Sequence, residues 1–385
     1  MPSPNVLIAP DKFKGSLTAR EVAAALAEGI RAVVPRAQVR ELPLADGGDG
    51  SVEAGLSAGF AAHEAPVTGP LGDPAVTAIA LREATAIVEA ATTSGLQMVP
   101  DDRRDAGAAS SRGLGEAVRA ALELGAERIV LALGGSASTD GGIGMLTALG
   151  WRFLDADGAP VDPSGLGLAE IRRIEATGAV DLTGIELVAA SDVQNPLLGS
   201  DGAAAVYAPQ KGADPQEVQQ LESGLQHLVR QLAEIHPDAA ELAERPAAGA
   251  AGGLGFAAML LGARIASGAD HFLDLLGFDR AAAGCDLVIT GEGRIDSQTL
   301  SGKLPAVVAR RAAPARVEAV VGHNALGAEA APEAGIARIR SLSGRTQADC
   351  ARDTELSRTL LVEIGREIGK ELAAAGGEGS GRRRT

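Results

Sequence analysis

Aromatic side chains are nearly missing: 385 residues contain 6 Phe, 1 Trp and 1 Tyr. So sparse a set excludes the stacking platforms that hold single-stranded bases. Cysteine is scarce too. Cys285 and Cys350 lie far apart, with neither CxxC nor Cys/His spacing, which argues against a zinc framework or a disulfide scaffold and for thiols in a reducing compartment. No stretch approaches the roughly 18 uninterrupted apolar residues of a membrane span. Met1 to Pro10 has no basic run ahead of its short apolar segment, so export has no signal and a cytoplasmic location is expected. Positive charge is in deficit, with 35 Lys and Arg against 50 Asp and Glu and a net charge of −15. Nucleic acid and anionic membrane are therefore not expected as partners. The one clear basic cluster, Arg382 to Arg384, follows a Gly/Ser run and reads as a flexible tail from Gly376 to Thr385.

Several catalytic signatures are missing as well. GxxxxGK[ST] fails because Ser297 stands five residues before Gly302-Lys303, which removes the Walker-type phosphate loop. Neither Ser136 nor Ser138 sits in GxSxG, so there is no nucleophile elbow. The five histidines, His63, His227, His236, His271 and His323, have no ligand spacing. Gly253 to Ala258 matches GxGxxA, but no strand precedes it, and a dinucleotide site there has little support.

Glycine, by contrast, is abundant at 50 residues and comes in short clusters. Clustered glycines in an apolar chain mark tight turns or close backbone approaches. The chain is long enough for two or three domains at ~150 residues each. Residues 5 to 9 form a continuous apolar run ended by Pro10 and Asp11, as a strand buried on both faces requires. Thr18 and Glu21 have capping-box spacing, and Val22, Leu26, Ile30 and Val33 line one helical face before Pro35. Residues 39 to 44 alternate and end in the turn Ala45 to Gly50.

The same grammar returns near the C-terminus. Strands are expected at 286–290, 317–321 and 336–342, with helices at 305–312, 326–334 and 354–373. Five strands alternating with helices suit a flavodoxin-like, doubly wound parallel sheet of order 2-1-3-4-5. Strand one would then lie beside residues 286–290. Their C-terminal loops, Asp11-Lys12-Phe13-Lys14 and Gly291-Glu292-Gly293-Arg294, would meet where such sheets bind ligands. Residues 65 to 284 carry strand patterns at 75–81, 85–89, 128–133 and 186–190, and helical ones at 109–124, 142–150, 215–235 and 255–265. That is too much structure for a loop. The expected plan is an α/β domain of residues 1–64 plus 285–375, interrupted by a second α/β domain at 65–284. Two chain crossings would join them around a cleft that holds the active site.

Four loops pair Gly with Asp: 45–50, Thr139 to Gly142, Ser191 to Pro196, and Gly291 to Asp296. Any one of them could be only a turn. Together with Lys12, Lys14, Arg294 and Lys303 they offer the parts of phosphoryl transfer. Glycine amides approach phosphate, lysines neutralise it, and carboxylates hold Mg²⁺ or accept a hydroxyl proton. Gly134-Gly135-Ser136, after the 128–133 strand, is a further phosphate nest. The same parts would serve a phosphatase or mutase of phosphorylated hydroxy acids, or a non-catalytic hinged binding protein for organic acids.

The segments 9–17, 43–50, 91–96, 191–197, 249–255 and 290–303 resemble the type 1 glycerate kinase family, and the similarity runs from about residue 5 to about 322. The resemblance implies an ATP-dependent, two-domain α/β kinase that phosphorylates D-glycerate, usually to 2-phosphoglycerate. One departure stands out: Thr139 occupies a place where that pattern has Asn, which puts a neighbouring polar contact in doubt. Expected roles are as follows. Lys12, Lys14, Arg294 and Ser297 meet the substrate. Asp296, or else Asp192, accepts the hydroxyl proton, with Lys12 and Lys14 acting in the transfer. Gly47, Gly48, Gly134, Gly135, Ser136, Gly291, Gly293 and Lys303 hold ATP, with Thr299 a further phosphate contact. Asp46, Asp49 and Asp192 serve Mg²⁺. A monomer or homodimer is expected.

Overall fold

The computed structural model describes residues 3–297, 303–326 and 330–378. The chain divides into two units, residues 1–46 with 269–385, and residues 47–268.

The discontinuous unit is built on a five-stranded parallel sheet. Asn5–Ile8 pairs with Gln38–Glu41 on one side and with Leu287–Thr290 on the other. Beyond these lie Arg316–Val321 and Arg338–Ser341. The order is therefore 2-1-3-4-5, as expected, and Ile8 stands opposite Ile289. Val6, Leu7 and Ile8 are fully buried, which explains a run without polar alternation. The capping box forms: Thr18 accepts from the Glu21 amide, and Glu21 accepts from the Thr18 amide. The helix Ala19–Val33 packs on the long helix Thr354–Glu378 through glycines. A methyl group at Gly29 would lie 2.2 Å from the Val362 carbonyl oxygen, and one at Gly365 would lie 2.4 Å from that of Leu26. The two backbones touch, and nothing larger fits. The last helix runs past the expected end at residue 373 to Glu378, so Gly376 to Glu378 are helical, and 379–385 lie outside the described residues.

The 47–268 unit contains a six-stranded sheet. Its parallel core is Thr85–Glu89, Arg128–Ala132, Glu186–Ala190 and Arg264–Ala266. Pro74–Arg82 and Ala61–Thr68 extend it antiparallel to one edge. Helices Arg112–Glu123, Ile143–Ala148, Pro215–Leu232 and Leu254–Leu260 answer the expected ones, with ends trimmed.

The expected boundaries at 64/65 and 284/285 move to 46/47 and 268/269. Ala61–Thr68 is a strand paired along its length with Pro74–Arg82, so it cannot belong with residues 1–46. A methyl at Gly55, in the helix Ser51–Ser57, would meet Ile87 Cδ1 at 2.6 Å, which ties that helix to the same sheet. At the other boundary, Arg310 and Arg311 of Leu304–Ala312 hold Asp270, Asp274 and Asp279. Two element readings also change. The helix expected to reach residue 265 stops at Leu260, Gly262 turns with a positive φ, and Arg264–Ala266 pairs with Val188 to Ala190. Of the helix expected at 326–334, only Ala330–Glu333 is helical among the described residues.

Candidate active site

In the discontinuous unit, parallel pairing carries the chain ends of two adjacent strands to one sheet edge. The Asp11 amide donates to the Gly291 carbonyl at 2.8 Å. A methyl at Gly293 would lie 3.1 Å from the Lys14 nitrogen, so the turn after the third-position strand rests on the Asp11 to Lys14 segment. Gly291 is held to glycine by Val320, whose carbonyl oxygen would be 1.9 Å from any Cβ. Arg294-Ile295 then forms a short parallel pair with His323-Asn324.

Two loops nearly three hundred residues apart thus place Lys12, Lys14, Gly291, Gly293, Arg294 and Asp296 along one edge. Arg294 is exposed and lies 3.7 Å from the half-buried Asp296 carboxylate. Ser297 is exposed, and Lys303 stands immediately before the helix Leu304–Ala312. Thr299 lies outside the described residues.

The carboxyl group that this edge perturbs most was not among the expected site residues. Burial pushes Asp11 up to about 8. The Lys12 charge opposes the rise, Asp46 adds to it, and smaller effects come from the Lys12 amide and Glu292. A carboxyl group that holds its proton near neutrality can exchange one with a bound hydroxyl. Asp46 therefore sits at this edge as a neighbour of Asp11.

The 47–268 unit gathers the other glycine loops. The Gly134 amide donates to the Gly47 carbonyl at 3.2 Å. A methyl at Gly134 would meet Gly48 Cα at 2.5 Å, and one at Gly47 would meet the Ala190 oxygen at 2.9 Å. Gly135, at the exposed tip with a positive φ, faces Ala91 and the Asp49 Cβ. The 91–96 segment is tied in by the Leu96 amide on the Gly135 carbonyl. Gly47, Gly48, Asp49, Gly134, Gly135 and Ser136 are brought together. Buried Glu89 supports the first of these loops by accepting from the Gly50 and Val52 amides, at 3.0 and 2.9 Å. Asp192 is exposed, and its Oδ1 accepts from the Ser267 hydroxyl and the Gly268 amide.

Beneath the Gly134–Ser136 turn lies an unexpected cation. Lys211 is only 3 % exposed, and its Nζ donates to Ser136 Oγ at 3.0 Å and to the Ser138 carbonyl at 2.5 Å. Burial pulls its ammonium down from 10.5 to about 7, and the Asp140 charge opposes that. Asp140 is itself fully buried, and its carboxyl is pushed up by burial and pulled back by bonds from Ser111, Gly142 and Gly144. The Thr139 hydroxyl is buried with no hydrogen-bond partner. No sequence signal marks Lys211, since Pro209-Gln210-Lys211-Gly212 reads as a solvated turn.

No group of three or more His, Cys, Asp or Glu is placed to hold a metal among the described residues. Mg²⁺ needs no such cage, because it commonly takes one or two carboxylates and completes its shell with water and phosphate. An oxygen donor beside a glycine turn fits that habit, and Asp49 beside Gly135 is one.

The glycerate kinase family model matches residues 6–373. The chain belongs to the glycerate kinase family. It is 42% identical over 318 residues to the glycerate kinase of Bacillus subtilis (strain 168), covering 80% of this chain and 81% of that one. To the glycerate 2-kinase of Escherichia coli (strain K12) it is 43% identical, covering 79% and 81%. A crystal structure from Salmonella typhimurium LT2, described as a "putative glycerate kinase 2", superposes with a TM-score of 0.83 at 36% identity, over 99% of this chain and 100% of that one. This glycerate kinase is a phosphotransferase, and phosphatase, mutase or non-catalytic binding readings fall away. Family membership implies ATP as phosphate donor and glycerate as acceptor. No helix among the described residues is long and apolar enough to cross a membrane.

Proposed function

We propose that this kinase transfers the γ-phosphoryl group of ATP to the C2 hydroxyl of D-glycerate, giving 2-phosphoglycerate and ADP. The C2 assignment is supported by the 43% identity to a protein named glycerate 2-kinase. The observation that carries the acceptor assignment is the Gly293 turn resting on Lys14, which puts three cations and two carboxyl groups on one edge.

Lys12, Lys14 and Arg294 hold the glycerate carboxylate and the arriving phosphoryl charge, and Ser297 contributes a hydroxyl. Cations are what an acidic acceptor requires. Asp296 takes the hydroxyl proton. It follows the central strand of this edge and lies 3.7 Å from Arg294, whereas Asp192 Oδ1 holds the Ser267 hydroxyl and the Gly268 amide. Phosphate contacts are assigned to Gly47, Gly48, Gly134, Gly135 and Ser136, and to Gly291, Gly293 and Lys303. Mg²⁺, with Asp49 as its carboxylate, would neutralise charge on the transferring phosphate.

A coupled assay for ADP release on addition of D-glycerate, with NMR of the product, tests this reading. The phosphorus signal must couple to the C2 proton, and coupling to the C3 protons refutes the C2 assignment. Asp296→Asn is expected to lower kcat by roughly two or more powers of ten, on the scale of lost transition-state contacts. Near-normal kcat would move the proton acceptor to Asp192 or Asp11.

A further inference from the structure

Lys211 presents a chemical imbalance. Lysine is almost never fully buried unless it is paired, yet Lys211 is 3 % exposed and no carboxylate oxygen of the described residues lies within ion-pairing distance of its Nζ. The nearby carboxylate is already spent. Asp140 Oδ2 accepts from the Ser111 amide, the Ser111 hydroxyl and the Gly144 amide, and its Oδ1 accepts from the Gly142 amide. The ammonium has three protons and no acceptor capacity. Two of those protons go to neutral oxygens, Ser136 Oγ and the Ser138 carbonyl.

The direction of the first bond matters. Because an ammonium can only donate, Ser136 Oγ must be the acceptor, and its single O–H is turned away from Lys211. A serine held this way is a donor toward whatever lies on its other side. It is a stronger donor than a free serine, because a charged group polarises it. Ser136 closes the Gly134-Gly135-Ser136 turn, whose tip at Gly135 is exposed and whose Gly134 packs directly on Gly48. The next two hydroxyls, Ser138 Oγ and Thr139 Oγ1, are also buried without partners. This stretch thus carries more polar capacity than the protein alone satisfies.

We propose that Lys211 is a positioning residue of the nucleotide subsite: by donating to Ser136 it fixes that hydroxyl as a hydrogen-bond donor to a nucleotide phosphate oxygen at the Gly134–Ser136 turn, and it supplies the buried positive charge that this anion balances. This rests on the assignment of nucleotide phosphates to that turn. The low proton affinity that burial imposes on Lys211 is consistent with it, since a bound phosphate would restore the charge.

The experiment measures the dissociation constants of ATP, ADP and adenosine by calorimetry for the full chain and for Lys211→Met, Ser136→Ala, their double variant and Gly134→Ala. Urea midpoints are recorded alongside. Lys211→Met and Ser136→Ala should each weaken ATP and ADP by roughly ten- to a hundred-fold, the worth of a charge-assisted hydrogen bond. Adenosine binding and the KM for glycerate should not move, and the double variant should lose no more than the worse single one. A merely structural lysine would shift all ligands together.

Additive losses in the double variant, or unchanged ATP affinity in Ser136→Ala, would overturn the proposal. Ser136→Ala removes one oxygen and keeps the test alive even if Lys211→Met does not fold. Gly134→Ala separates the two levels. If it weakens ATP while the other variants do not, the Lys211 role fails alone. If none of the variants affects ATP, the nucleotide assignment of the turn fails and takes this inference with it.

Discussion

Replacing Asp11 by Asn should remove a pH dependence of folding stability that this one buried carboxyl group creates. In the folded chain Asp11 releases its proton at about 8, against 3.8 for the ordinary side chain. Between those values the folded state holds a proton that the unfolded state has lost. Stability then falls as pH rises, because the native form binds more protons than the unfolded one. The group costs nothing below the unfolded value, and its penalty is complete above the folded one.

Within that window the slope is about 1.4 kcal/mol per pH unit for one proton. Going from about pH 5 to about pH 7 should therefore cost the native chain roughly 2.7 kcal/mol more than it costs Asp11→Asn, which is close in shape and cannot ionise. Urea unfolding at several pH values within that range gives both stabilities. Other titrating groups largely cancel in the difference, so the comparison isolates Asp11. A difference in stability that stays constant with pH would refute the claim that burial holds the proton on Asp11.

Two further outcomes follow from packing. Thr139→Val keeps the shape of the side chain while deleting a buried hydroxyl that has no partner, so stability by thermal unfolding should hold or rise by up to about 1 kcal/mol, and a clear loss would mean that the hydroxyl is satisfied. Gly29→Ala should lower stability by a net ~1–2 kcal/mol in chemical denaturation, because a methyl 2.2 Å from the Val362 oxygen forces two helices apart and outweighs the gain of about 1 kcal/mol in helix propensity. A stabilised variant would show that the crossing has room.

The discontinuous sheet was legible because its strands are buried on both faces. Val6 to Ile8 and Leu287 to Thr290 read as apolar runs, and their alternation with helices suggested the strand order later found. The Thr18 capping box was equally local. Ala61–Thr68 escaped because it is an edge strand, half of its residues exposed, with Pro66 and four alanine or glutamate positions that give little alternation. Missing it displaced the domain boundary by a helix and a strand.

The glycine loops of the site were visible for the opposite reason, since close backbone approach demands glycine whatever the surrounding fold. Lys211, Asp11 and Glu89 were not visible as site residues. What distinguishes them is that charged groups are buried, and burial of a charged side chain is set by elements far away in sequence. Pro-Gln-Lys-Gly looks the same on a surface as beneath a glycine turn.

The way the first strand is sandwiched has a consequence for how this protein is made. Asn5 bonds to Asp286, 281 positions further along the chain, and the helix Ala19–Val33 waits for Thr354–Glu378 to cover its glycine face. At a ribosomal pace of about 5–20 residues per second, the opening β-α-β segment spends on the order of 15 to 55 s outside the exit tunnel without its inner neighbour. During that interval the contiguous 47–268 stretch has every strand of its own sheet available. Assembly on the ribosome should therefore run from the middle of the chain outward, and the first forty-six residues are the ones a chaperone would need to shield.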